Sequence, residues 1–269
     1  MKVLHMCVSG LFVDGLSYQE NLLTQYHKKM GCEVSVITSL KKFDNQGNYV
    51  YDDKPFDYVN EYGVHVIKLD NVAPRKFGRL LKICKGTYKA ICNEAPDVIF
   101  VHGVQFADMA QVVKYAKRHP NVRIYVDNHA DFSNSASNWI SKNIQHKILW
   151  RYHTHRIARH ARKFYGVLPA RVEFLANMYK APANKIELLV MGADDELVEK
   201  ASAPEVIKGI RERYGIGEDD FLIMNGGKID GAKKQTLMLM DAVNAMDADN
   251  VKLIVFGSVT EELKEFLLR

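Results

Sequence analysis

Two lysines and two histidines in this 269-residue chain stand where they could do chemistry. Lys228 and Lys234 flank a glycine-containing turn, Asn225-Gly-Gly-Lys-Ile-Asp-Gly-Ala-Lys-Lys234. An apolar run from Phe221 precedes the turn. A helical pattern through Leu237, Met240, Ala242 and Met246 follows it, and a second apolar run, Val251–Phe256, closes at Gly257-Ser258. Strand, glycine loop, helix, strand is the order of a parallel-sheet unit. Such a unit places the loop at the carboxyl ends of its strands, where anionic ligands bind. Two amines near a helix N-terminus could neutralise an anionic group, although each also reads as a solvated lysine. His129 directly follows the apolar run Ile124–Asp127, so it belongs at the carboxyl edge of a sheet. An imidazole there could donate to a ligand oxygen or move a proton near neutral pH, with Asp127 and Asp131 beside it in sequence. A lone structural histidine is the plainer reading. His102 and Gly103 end another run, Val98–His102, at the same edge, where a turn with a satisfied histidine is the alternative. Near the start, Ser9-Gly10 to Gly15-Leu16-Ser17 leaves a strand and enters a helix. Glycine there would let the backbone approach a ligand; otherwise Gly15 makes a turn and Ser17 caps the helix.

These residues need strands and helices to hold them. Short, non-alternating apolar runs at Val3–Val8, Val34–Thr38, Val64–Leu69, Val98–His102, Ile124–Asp127, Phe164–Leu168 and Ile186–Val190 read as strands covered on both faces. Helical patterns at Ser17–Met30, Phe77–Asn93, Ala107–Arg118, Trp139–Lys163 and Ala170–Tyr179 separate most of them. That alternation predicts an α/β chain with a mostly parallel sheet and helices on both sides. The polar stretch Lys41–Asn60 predicts a long loop with room for a hairpin. The pattern breaks at Leu197–Pro204, which divides the chain into residues 1–200 and 201–269. Val206–Tyr214 reads as a helix ending at Gly215.

Composition narrows the function classes. A hydrophobic content of 47% is that of a folded chain. A net charge of +5 is too mild to argue for nucleic acid, and no aromatic-basic interleaving appears. The 4 cysteines, Cys7, Cys32, Cys84 and Cys92, show no CxxC pair and read as buried, reduced thiols of a cytosolic protein. The first residues, with His5 inside the apolar run, read as a buried strand rather than a signal peptide. There is no HExxH, GxSxG or Walker loop.

Six pieces in order resemble family 4 glycosyltransferases of the GT-B fold. They are Gly15-Leu-Ser-Tyr-Gln-Glu20, Gly31-Cys-Glu-Val-Ser-Val-Ile-Thr38, Pro96-Asp-Val-Ile-Phe-Val-His-Gly103, Tyr125-Val-Asp-Asn-His129, Lys185-Ile-Glu-Leu-Leu-Val-Met-Gly-Ala-Asp194 and Gly227-Lys228 with Lys234. The resemblance implies two Rossmann-like domains, the first on the acceptor side and the second binding a nucleotide sugar. It implies transfer of a sugar to a glycan or lipid-linked acceptor, with retention of anomeric configuration and no metal or other cofactor. It gives His129 a contact to the donor sugar and the catalytic role, places Gly15 and Ser17 against substrate, and puts His102 and Gly103 near the acceptor. Gly227, Lys228 and Lys234 would hold the donor diphosphate; lysine at the first basic position keeps the charge of the commoner arginine without its bidentate geometry.

The family's donor domain also carries a Glu-x7-Glu segment. After Ser258 eleven residues remain, and Glu261, Glu262 and Glu265 do not give that gap. The resemblance therefore implies an incomplete donor domain, a shortened form or gene fragment of doubtful activity by itself. A nucleotide-sugar epimerase of the same fold is the alternative enzyme. The non-enzymatic alternative is a membrane-surface partner of a transferase. It rests on two acid-free basic stretches, Arg75–Lys89 and Lys142–Lys163, each predicted as one helix with a charged face over core packing. Their charge suits an anionic membrane surface, here the inner face of the membrane. His146, His153, His155 and His160 lie in the second stretch without the i,i+4 spacing of a helical zinc pair.

Overall fold

The structure, a computed structural model, describes residues 1–44, 48–229, 235–246 and 248–259. The chain forms two compact units, Met1–Gly192 and Ala193–Arg269.

The first unit is an eight-stranded sheet. Its strands are β1 (Lys2–Met6), β2 (Glu33–Ser39), β5 (Phe56–Val59), β6 (His65–Leu69), β7 (Val98–Val101), β8 (Arg123–Asn128), β9 (Ala161–Gly166) and β10 (Ile186–Leu188). The spatial order is β10-β9-β8-β7-β1-β2-β6-β5. All pairs are parallel except β5 against β6. From β1 the chain winds first toward β2 and β6, then returns to β7 on the other side. The strand order therefore reverses between β1 and β7, and a crevice opens outside their carboxyl ends.

Helices α1 (Gln19–Lys29), α3 (Thr87–Glu94), α4 (Met109–Arg118), α5 (Arg151–Ala158) and α6 (Pro169–Asn177) connect the parallel strands. Side chains alternate across the sheet, so each strand feeds two cores. Leu4, Met6, Ile99, Val101, Ile124 and Val126 enter the larger one with Phe164, Phe174 and Tyr179. Val3, Cys7, Val34, Val36, Val64 and Val66 enter the smaller one with Phe12. Each fully buried aliphatic or aromatic side chain contributes about 1.5–3 kcal/mol of transfer free energy.

Four expectations need correction. The stretch Lys41–Asn60 does carry a hairpin, β3 (Lys41–Phe43) with β4 (Tyr49–Tyr51), but it also supplies the edge strand β5. The single helix expected over Phe77–Asn93 is two, α2 (Arg75–Leu81) and α3. Lys82 ends α2 in the left-handed region at φ 55°, and Gly86 follows at φ 88°. Gly78 fixes the break from inside: a Cβ there would stand 2.4 Å from the Val72 carbonyl oxygen. The helix expected over Trp139–Lys163 is a π-helical segment, Ser141–Trp150, continuing into α5; residues from Ala161 on belong to β9. Finally, Cys7, Cys32 and Cys84 are buried, but Cys92 is exposed.

The second unit starts with α7 (Asp195–Ala201), a helix the break in sequence pattern hides. Asp194 caps it by accepting from the Glu196 and Leu197 amides at 3.1 and 3.3 Å. Next come α8 (Pro204–Arg213), β11 (Phe221–Ile229), α9 (Gln235–Asn244) and β12 (Val251–Val259). β11 and β12 pair in parallel from Phe221↔Val251 to Ile229↔Val259. The strand thus runs on through the glycines expected to form the loop. Gly227 at φ 138° opposes Gly257 at φ 132°. A Cβ on Gly257 would lie 1.9 Å from the Gly227 carbonyl oxygen, so glycine is what allows the two backbones this close.

Candidate functional site

β1, β7 and β8 deliver Ser9, His102 and His129 to one crevice edge. A cavity of about 170 Å³ opens there, lined among others by Ser9, Gly10, Glu20, Gly103, Asn128 and His129. Behind the lining residues His102, Gly103 and His129 lies a buried carboxylate. Asp127 is fully buried and accepts from His102 Nδ1 at 2.9 Å and from the Gly103 amide at 2.8 Å. His129 Nε2 lies 3.3 Å from the same carboxylate, within ion-pair range but without the alignment of a full hydrogen bond. Burial alone would raise the Asp127 carboxyl, but His102 and His129 outweigh it and hold the group well below the usual carboxylate range. For His129 the signs reverse. Burial lowers it, while Asp127 and then Glu20 raise it, and the net direction is up. The charged imidazolium is thereby favoured at the mouth of the crevice.

His102 does not end the chain of contacts. Its Nε2 lies 2.9 Å from His5 Nδ1, and His5 Nε2 lies 2.9 Å from His27 Nδ1. The strand register explains the meeting: His5 on β1 pairs with Phe100 on β7, two residues from His102 on the same face. Asp127 accepts from His102 Nδ1–H, and which ring donates in each of the two histidine–histidine contacts depends on the tautomers. Burial, then His102 and His27, push His5 well below the usual histidine range, which keeps it neutral. Burial and His102 likewise lower His27. A row of rings in hydrogen-bond contact therefore runs from α1 to the carboxylate under His129.

The loop carrying His129 is tied from both sides. Asn128 Nδ2 donates to the Ala130 and Arg171 carbonyls, and Asn134 Nδ2 donates to the His129 carbonyl at 2.9 Å. Asp131 does not orient His129; it accepts from the Ser133 and Asn134 amides and pairs with Arg171. Gly103, at φ 80°, lets the end of β7 close on β1: a Cβ there would stand 2.7 Å from Ser9 Oγ.

The structure brings His129, His102 and Gly103 together. Both ring nitrogens of His102 are engaged inside the protein, so it supports the Asp127–His129 pair and offers neither nitrogen to a substrate. Gly15 and Ser17 are both exposed and stand apart from the residues lining this cavity. The residue before α1 is Tyr18, so Ser17 does not cap that helix. Gly227 and Lys228 lie on β11 in the second unit, and Lys234 lies outside the described residues. Sequence reasoning missed His5, His27 and Glu20. Only His5 left a signal, a histidine inside a buried apolar strand. Among the described residues no group of three histidine, cysteine or acidic side chains is placed to hold a metal.

A family model for Glycosyltransferase Family 4 matches residues 15–197, about two thirds of the sequence. The chain belongs to glycosyltransferase family 4. Comparison with curated protein sequences finds no match. Among solved structures, the N-terminal domain of Candida albicans trehalose-6-phosphate phosphatase is similar at TM-score 0.60 and 14% identity, over 99% of this chain and 66% of that one. An E. coli trehalose-6-phosphate protein bound with UDP-2-fluoro glucose gives TM-score 0.56 and 9% identity, over 99% and 67%. Sucrose-phosphate synthase from Thermosynechococcus elongatus gives TM-score 0.56 and 12% identity, over 94% and 70%. At such identities the likeness is one of fold. The chain spans about two thirds of the length of these proteins. The glycosyltransferase thus has the α/β, Rossmann-like fold class of GT-B glycosyltransferases.

Proposed function

We propose that this glycosyltransferase moves a hexose from a nucleotide-sugar donor to a glycan or lipid-linked acceptor with retention of anomeric configuration. The observation that carries the reading is the Asp127–His129 pair at the end of β8, beside the point where the strand order reverses. The carboxylate stabilises an imidazolium whose Nδ1 has no partner among the described residues. Such a group donates a hydrogen bond to an oxygen of the donor sugar and orients the sugar for transfer, while the negative charge of the transition state develops on the leaving diphosphate. Asp127 holds the ring and its charge, and His102 holds Asp127. Gly227, Lys228 and Lys234 belong to the donor diphosphate in this reading, where their charge offsets that of the leaving group. No metal enters the proposal.

The test is acceptor-dependent release of nucleoside diphosphate from a panel of UDP-, GDP- and ADP-hexoses, with the anomeric configuration of the product read by NMR. Conversion of the donor sugar without an acceptor would favour an epimerase instead, and an inverted product would rule out retention. The family match favours transfer.

A membrane-side location is a second part of the proposal, with its own observation. Trp139 is 70% exposed and Ile148 65%, and Ile140, Ile144 and Tyr152 are exposed with them. The spacing of four from Ile140 to Tyr152 lines them along one side of a helix, beside exposed Lys142 and Lys147. Phe77 and Leu80, expected to pack inward, are exposed as well. Apolar side chains flanked by lysines fit a cytoplasmic enzyme resting on the anionic inner face of a membrane. No described helix is long and apolar enough to cross one. Sedimentation with vesicles of 30% phosphatidylglycerol, set against neutral vesicles, tests this. Equal binding to both would reduce the basic stretches to solvated faces.

A further inference from the structure

The break between α2 and α3 turns Lys82 inward. Its Nζ donates to the Ser9 carbonyl at 2.6 Å, the one partner it has among the described residues. It lines a second cavity of about 90 Å³, together with Lys41 of the hairpin and Arg79 of α2. The ends of β1 and β2 supply Ser9 and Ser39 to the same wall. The Arg79 guanidinium carbon lies over the Tyr51 ring, 3.6 Å from its centre, and its Nε is buried without a hydrogen-bond partner. Lys41 Nζ sits 3.6 Å from the centre of the Tyr49 ring.

Three cations thus face one small cavity, and no acidic residue lines it. The nearby carboxylates are engaged elsewhere: Asp52 pairs with Lys42 and Lys68, Asp70 with Arg75, and Asp108 accepts from Thr87 and the Cys84 amide. Buried cations are ordinarily paired, because taking a charge from water without a counter-charge is costly. Here burial, then the charge of Lys41, draws the Lys82 ammonium down to about 8, and burial lowers Lys41 too. A dianion would relieve all three at once. Arginine supplies planar donors to an oxyanion and lysine supplies point charges.

We propose that this cavity binds the phosphate group of a phosphorylated acceptor, with Lys41, Arg79 and Lys82 as its ligands. That the phosphate belongs to the acceptor rests on the transferase reading; that the cavity binds phosphate does not. The two cavities share Ser9 and Gly10 as a common wall. A phosphate held on one side leaves the rest of its molecule beside Asp127 and His129 on the other. The acceptor class is then a phosphomonoester or diphosphate of a sugar, free or lipid-linked.

Titration calorimetry with inorganic phosphate, a hexose 6-phosphate and the unphosphorylated hexose tests the cavity without requiring turnover. Phosphatidylcholine vesicles with and without 20% phosphatidic acid form the lipid arm. Inorganic phosphate should bind the wild-type chain, and Arg79→Gln and Lys82→Met should each weaken it about tenfold or more. Tighter binding of the hexose phosphate points to a soluble acceptor; vesicle binding lost in both variants points to a lipid-linked one. Circular dichroism melts show whether each variant folds, and Lys41→Gln, a hairpin change away from the α2 break, provides an independent third. No phosphate binding by the wild-type chain, or binding unchanged in the three folded variants, overturns the proposal. Phosphate binding with no acceptor-dependent release of nucleoside diphosphate would keep the cavity and sink the transferase reading. Transfer only to unphosphorylated acceptors, with no phosphate bound, would do the reverse.

Discussion

Replacing Asp127 by asparagine removes one charge from beneath His129 and changes the shape of the site very little. Two unit charges 3.3 Å apart interact by about 5 kcal/mol at an effective dielectric of 20, from 332/(20 × 3.3), and by about 1.3 kcal/mol in bulk water. The His129 side chain is 33% exposed, so solvent screens the pair and the true figure lies between. At 1.36 kcal/mol per pH unit, the water value already gives about 1 unit. Asp127→Asn should therefore lower the His129 pKa by about 1 to 2 pH units, leaving burial as the main influence on it. The sign follows from the pair itself: the carboxylate stabilises the charged ring, so its removal favours the neutral one. The assay is a heteronuclear NMR titration of the imidazole Cε1–H resonances, with His129→Gln identifying the signal. One donor among His102, His129 and Gly103 also loses its acceptor, which costs about 1–3 kcal/mol, so the titration belongs at low temperature, where the variant stays folded. A change below half a pH unit in a folded variant, or a rise, would refute the idea that Asp127 sets the charge of His129.

Three further outcomes are expected. His129→Ala should reduce turnover about a hundredfold, a typical loss for a proton-moving or donating group, with the thermal midpoint nearly unchanged; wild-type turnover would remove His129 from the chemistry. His5, His27, His146, His153 and His160 are all lowered in the fold, against His65 and His129 raised. The unfolded chain then binds more protons near its histidine value of about 6.5, so stability should fall from pH 7.5 to 5.5 in denaturant titrations; a flat or rising profile contradicts this. Gly103→Ala combines a left-handed backbone with a contact on Ser9 Oγ and should cost about 1–3 kcal/mol, some 2–10 °C in the melting midpoint; a neutral effect would mean that the β1 and β7 ends move apart freely.

The parallel sheet is legible in the sequence because both of its faces are covered, and short unbroken apolar runs record that. The edge strand β5 is not, since Phe56 and Val59 are exposed and the strand sits among polar residues. The division at Lys82 escapes notice for a different reason. Leu80, Leu81, Cys84 and Tyr88 keep a helical period across it, and the inward turn depends on Gly78 meeting the Val72 backbone. At the site, His129 and His102 are visible as residues ending strands. Their link through Asp127, and the extension to His5, need the register of β1 on β7, which joins positions 95 residues apart, such as Val3 and Val98. No local pattern encodes that pairing.

That same register sets a clock on assembly. β1 occupies the centre of the sheet, yet β7 and β8 are made long after it. His5 cannot meet His102 until residue 102 has left the ribosome, nor can Asp127 meet both His102 and His129 until residue 129 has. At about 5–20 residues per second, the 124 residues from His5 to His129 take about 6 to 25 s. Until β7 is made, the nascent chain carries Val3, Leu4 and Met6 with β2 as the neighbour of β1 available. Winding outward first, through β2 and β6, gives those side chains an early partner. The half of the sheet that bears the imidazole row closes after the half built on β2 and β6, so the crevice forms on a scaffold already begun.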